Sequence, residues 1–127
     1  MNAYIATTEH ITITVRPVYL DGQSNPIEHK YVFAYYVRIE NKGVEDVQLL
    51  RRHWLINHGG FRVEEVEGEG VVGKQPVIPP GGAHEYNSFS ILETLEGWME
   101  GTYLMRRGES EYFRVTIPKF TLRAAAN

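Results

Sequence analysis

Cysteine is absent from the 127 residues, which excludes disulfides, thiolate metal ligands, thiol nucleophiles and redox switching. Burial alone must hold the fold, and a chain of this length can enclose one continuous core. Long apolar runs are missing as well. The longest, Tyr31 to Val37, falls far short of a membrane span, and Met1 to His10 has neither a basic nor an apolar segment of the kind that directs export. The expectation is a cytoplasmic chain with no membrane partner, forming a single domain over residues 1–127. No basic block occurs either: 13 Lys and Arg are mixed among 16 Asp and Glu, for a formal net charge of -3. Nothing here tracks a phosphate backbone, so nucleic acid is not expected as a partner.

What the chain does have is 12 glycines, 6 prolines and many aromatics beside Val and Ile, a strand-and-turn composition. Apolar residues recur with period two between turn signals. Ile11, Ile13 and Val15 alternate with Thr12 and Thr14, and Asp21 to Pro26 reads as a loop. A second strand runs from Lys30 to Glu40, with Phe33, Tyr35, Val37 and Ile39 on one face. Val47 to Asn57 is a third, broken by Arg51, Arg52 and His53, where a bulge would shift the register. Asn57-His58-Gly59-Gly60 turns into a fourth strand, Phe61 to Glu67. Pro79-Pro80-Gly81-Gly82 precedes a fifth, Ala83 to Phe89, and a final hairpin joins Trp98–Arg106 to Glu111–Ile117. Only Ile91 to Met99 has a helical flavour, and the tail Ala124 to Asn127 is expected to fray.

The pattern predicts an all-β, seven-stranded antiparallel β-sandwich, immunoglobulin-like or fibronectin type III-like. Strands one, two and five form one sheet and three, four, six and seven the other, because the two tight hairpins fix neighbours in the second. Trp54 is then a core anchor, with Tyr103 its partner across the sandwich.

Several runs go beyond composition. They are Tyr31-Val32-Phe33-Ala34-Tyr35, Val47-Gln48-Leu49-Leu50-Arg51-Arg52-His53-Trp54, Val63-Glu64-Glu65-Val66, Gly68-Glu69-Gly70-Val71-Val72-Gly73, Gln75-Pro76-Val77 and Met99-Glu100-Gly101-Thr102-Tyr103. In these runs the chain resembles the bacterial ApaG family, also called CorD. The resemblance implies a fibronectin type III-like sandwich and, from related domains in F-box proteins and a DNA-polymerase-delta-interacting protein, a role in protein interaction. It also carries associations with cobalt resistance, magnesium efflux and a neighbouring diadenosine-tetraphosphate hydrolase. None of these is a reaction. The chain departs from the family pattern mainly at Asn57 to Gly60 and Phe89 to Gly97.

Three constellations bear on function. Gly68, Gly70 and Gly73 match G-x-G-x-x-G, a spacing that lets backbone amides approach a pyrophosphate at the start of a helix. Here Pro76 and Pro79-Pro80 follow instead of a helix, and Glu64, Glu65, Glu67 and Glu69 repel phosphate, so the glycines read as structural. Nucleotide binding through Gly68–Gly73 stays as the alternative, together with divalent-cation handling. Among His10, His29, His53, His58 and His84, only His53 and His58 lie close, and odd spacing on a strand sends their rings to opposite faces unless a bulge intervenes. No converging ligand set is expected, and no cofactor. No serine has a nucleophile-elbow context, so no catalytic residue is assigned. Arg51, Arg52 and His53 are the candidates for contact with an unidentified protein, since arginine beside tryptophan commonly anchors interfaces. The sequence therefore predicts a non-catalytic domain that binds another protein.

Overall fold

The computed structural model describes residues 3–124. Its nine strands are β1 (Tyr4–Thr8), β2 (Ile11–Tyr19), β3 (Tyr31–Asn41), β4 (Val47–Asn57), β5 (Val63–Glu69), β6 (Val77–Ile78), β7 (Ala83–Leu92), β8 (Glu96–Arg107) and β9 (Glu111–Arg123). They form two antiparallel sheets packed as a sandwich, one ordered β1-β2-β3-β7 and the other β5-β4-β8-β9, with β6 pairing β4 beyond the end of β5. The expected sheet membership holds for all seven expected strands. The two additional strands are β1 and the two-residue β6.

Period-two alternation builds the core. Ile11, Ile13 and Val15 of β2 meet Phe33, Tyr35, Val37 and Ile39 of β3 on one buried face. The opposing sheet supplies Leu49, Trp54, Met99, Tyr103, Met105, Val115, Ile117 and Phe120. Trp54 is buried as expected, but its neighbour across the sandwich is Tyr35, at 5.5 Å between ring centroids. Tyr103 stands on the adjacent strand of the same sheet, edge-on at 6.4 Å. Edge-on and tilted contacts of this kind add about 0.5–1.5 kcal/mol each beyond burial.

Two further expectations are corrected. Phe61 does not begin a strand. It sits fully exposed in the loop between β4 and β5, which closes with the His58 N–H donating to the Arg62 carbonyl at 3.1 Å. The segment from Ile91 to Met99 is extended rather than helical, because β7 continues through Leu92 and β8 starts at Glu96 after a short turn. Both Leu92 and Met99 are wholly buried, so the period of two resumes on either side of that turn. Ala124 is tied down by donating to the Leu95 carbonyl at 2.9 Å, while the rest of the tail expected to fray lies outside the described residues. Among the described residues no helix is long and apolar enough to cross a membrane.

Candidate functional site

The register of β4 against β8 slips between Leu49 and Arg51, so Leu50 is an extra residue on β4. A one-residue bulge exchanges the two faces of everything after it. Val47 and Leu49 point inward before the bulge, and Arg52 and Trp54 do so after it, with Arg52 paired directly opposite the buried Tyr103. The three candidate binding residues are thereby separated. Arg52 turns inward at the edge of the sandwich, where its Nη1 donates to the carbonyls of Glu69 and Gly70 at 2.8 and 3.0 Å. Arg51 and His53 face outward. Arg51 is about half exposed and lies 4.0 Å from a Glu69 carboxylate oxygen, a loose pair of little energetic consequence.

The glycine motif follows β5 as a short tab folded against the bulge. The Gly70 N–H and the Gln75 side-chain amide both donate to the Leu50 carbonyl, each at 2.9 Å. Val71 and Lys74 exchange backbone hydrogen bonds of 2.8 and 3.0 Å around Val72 and Gly73, whose φ values are +48° and +75°. Positive φ at both central positions makes this a type I′ turn. Val71 is buried, plugging the gap between the sheets, whereas Val72 is exposed. Gly70 has φ +63°, and a Cβ there would stand 2.2 Å from the Lys74 carbonyl oxygen. The amides of Gly70, Val71 and Lys74 are thus spent on the protein's own carbonyls, and the chain continues into β6 rather than a helix.

The outer face beside the bulge holds a cluster that the sequence reading missed. His53 Nε2 lies 2.7 Å from Glu65 Oε2 and 3.6 Å from Glu67 Oε1. One ligand atom from each of the three residues fits within 4.8 Å of the others. The expectation that no ligand set converges is therefore corrected: Glu65 and Glu67, two apart on β5, share a face, and Glu67 is the direct cross-strand neighbour of His53. Three N and O donors in this arrangement could hold a divalent cation with open positions left for water. His58 does not join them. Its Nε2 lies 2.9 Å from Glu64 Oε1, on the opposite face of β5, and its Nδ1 is buried without a partner.

On the inner side of β7, the hydroxyls of Tyr86 and Tyr103 hydrogen-bond to each other. Burial pushes both phenols well above their ordinary range, and raises Tyr35 in the same way. They remain neutral at physiological pH. His84, also facing inward, is pushed down, first by burial and then by the Lys74 charge.

The outer side of the same sheet is apolar along one end. The β2-β3-β7 register sets Val18 beside Ala34 and Ala34 beside Phe89, with Val32 beside Ile91 in the next row and Arg16 beside Tyr36. Tyr36, Phe89 and Ile91 are 48%, 56% and 55% exposed. The sequence signal for this patch was the alternation of Phe89 with Ile91, visible only if β7 extends past Phe89.

The sequence matches the family model described as ApaG domain over residues 21–107. Protein ApaG of Paramagnetospirillum magneticum is 52% identical over 119 residues, covering 94% of this chain and 92% of that protein. Protein ApaG of Erwinia tasmaniensis is 49% identical over 120 residues, covering 94% and 96%. A crystal structure of an ApaA protein from Bordetella pertussis matches with a TM-score of 0.86 at 45% identity, covering 89% of this chain and 92% of that one. A protein from Archaeoglobus fulgidus, with a TM-score of 0.52 at 11% identity, shares the fold alone. With likeness of this extent in both sequence and structure, the chain belongs to the ApaG family.

Proposed function

We infer that this chain is a non-catalytic binding domain that recognises another protein in the cytoplasm. The observation that carries this reading is the half-exposed row of Tyr36, Phe89 and Ile91 on the outer face of the β1-β2-β3-β7 sheet. Aromatic and aliphatic side chains clustered on one rigid face are the usual core of a protein interface, and a monomer gains nothing by leaving them wet. Arg51 remains available on the other sheet, whereas Arg52 serves the fold. Affinity capture with wild type and with Phe89→Asp tests the reading. A protein retained by the first and lost by the second, at unchanged melting temperature, is the expected result. Equal retention by both would sink it.

The His53–Glu65–Glu67 cluster favours a second reading, a divalent-cation site, over nucleotide binding at Gly68–Gly73, where the Gly70 and Val71 amides are already committed. Zinc titrated into wild type and His53→Ala separates the two cases: heat of binding in the first alone supports the site. Identical isotherms would leave only adventitious surface binding.

A further inference from the structure

The sandwich has four sheet edges, and three of them are protected. β1 is five residues long, β5 carries Glu64, Glu65, Glu67 and Glu69, and β9 contains Pro118 beside a register slip. Short length, charge, proline and bulges are the devices by which proteins keep an edge from pairing with another strand. β7 is long, unbroken and without proline. It runs ten residues in register with β3, its one carboxylate, Glu85, pairs back to Arg38 of β3 at 3.5 Å, and it carries Phe89 and Ile91 on its outer face. Among the described residues no strand pairs with its far edge, and no loop or turn backbone hydrogen bond reaches it.

Alongside that edge lies a groove of about 140 Å³. Val71, Val72 and Lys74 of the tab face residues 84–87 across it. Successive residues of a strand point to opposite faces, so a groove touched by four in a row follows the strand's edge rather than either face. The far wall presents an apolar Val72 in a left-handed conformation that β-branched residues avoid. It also presents Lys74, which has no ion-pair partner among the described residues. On the β7 wall, His84 Nε2 is buried and unpartnered.

We propose that the β7 edge and the tab together form a strand-accepting groove for an extended acidic peptide, which adds to the sheet as its fifth strand. This rests on the reading of a protein partner and names its chemistry. Main-chain hydrogen bonds to the free edge supply affinity, and alternate side chains supply specificity. An antiparallel peptide sets apolar residues at its first and third positions beside Ile91 and Phe89. Its eighth position falls beside His84, on the inner side, where a carboxylate meets Lys74 and the unpartnered imidazole nitrogen. The favoured pattern is therefore apolar-x-apolar followed, five residues later, by Glu or Asp.

The probe is a synthetic octapeptide with valine at the first and third positions, glutamate at the eighth and threonine elsewhere. Titrated into the ¹⁵N-labelled protein, it is expected to shift the amides of β7 and of residues 71–74 and to slow hydrogen exchange along β7. Lys74→Glu, at an exposed position, is expected to weaken it about tenfold, as loss of one charge-assisted contact does. A peptide ending in lysine is expected to recover binding to that variant. Peptides methylated at alternate backbone nitrogens are expected to fail, because edge pairing needs those donors. Shifts confined to the outer face, or indifference to Lys74→Glu, would overturn the groove. A dimer that dissociates in Asn87→Lys would overturn it in favour of a second copy of the chain. If the peptide fails while Phe89→Asp still loses a captured protein, the groove falls and the protein-binding reading stands. If both fail, so does the reading beneath it.

Discussion

The Arg52 guanidinium lies flat against Gly68, where a Cβ would stand 2.7 Å from its Nη2, while its Nη1 holds the Glu69 and Gly70 carbonyls. The arginine and the first glycine of the motif are one structural unit, which ties β5 and the tab to β4. Removing the side chain leaves two carbonyls without their charged donor, a loss of about 2–3 kcal/mol. Arg52→Ala is expected to lower stability by that amount in urea unfolding, and Arg51→Ala by no more than about 0.5 kcal/mol. Equal effects would mean that the bulge does not separate the two side chains.

The tab makes a graded prediction. Gly70→Ala meets both positive φ and the Lys74 carbonyl, so it is expected to cost more than about 2 kcal/mol. Gly73→Ala meets open space and is expected to cost only the conformational part, about 1 kcal/mol. Val72→Asn relieves a valine held at φ +48° and is expected to stabilise by about 0.5–1 kcal/mol. Thermal melts of the three variants check the order.

The Tyr86–Tyr103 pair invites a double-mutant cycle. Tyr86→Phe strands the wholly buried Tyr103 hydroxyl and is expected to cost about 1–3 kcal/mol. Changing both to Phe removes the unpaired group along with its partner, so the double variant is expected to be closer to wild type than the sum of the singles. Strict additivity would show that the two hydroxyls are independent.

His84 sets a pH dependence. Burial and Lys74 make its protonation harder in the folded protein, so its pKa lies below the ordinary 6.5. Above 6.5 the ring is neutral in both states and contributes no slope. Below it the unfolded chain takes up the proton first, and the folded state loses stability until its own lower pKa is passed. A fall in melting temperature as pH drops below 6.5 is expected in wild type, and a shallower one in His84→Gln. Glu93, held down by Arg62, acts in a lower window, losing its contribution only as pH drops below its ordinary 4.5. An unchanged slope in His84→Gln would place the titration elsewhere.

The sheets, the core position of Trp54 and the β8–β9 hairpin were legible because alternation and tight turns are local signals. β1 was not, because its turn into β2 is made by Glu9 and His10 at φ 46° and 71°, without the Asn-Gly signature of a type I′ turn. Tertiary contacts hold it instead: Arg107 donates to the Glu9 carbonyl at 2.8 Å, and the Lys42 N–H donates to that of His10 at 2.8 Å. The fate of Arg52 depended on the bulge falling at Leu50 rather than among residues 51–53. The His53–Glu65–Glu67 cluster depended on cross-strand register, which spacing along one strand does not reveal. The apolar row on β7 was hidden by ending the strand three residues early.

Leu50 gives β4 two phases. Residues up to Leu49 and residues from Arg51 onward count inside and outside from different origins, so drawing the bulge straight, with Leu50 taken into the ladder, would act on the sheet as a frameshift acts on a coding sequence. Trp54 would be carried to the solvent and His53 into the core, with no residue changed. The Leu50 carbonyl is the point on which both Gly70 and Gln75 close, so the tab latches the phase change in place. The loop that resembles a nucleotide cradle is, in this sense, the punctuation mark that keeps the strand in frame.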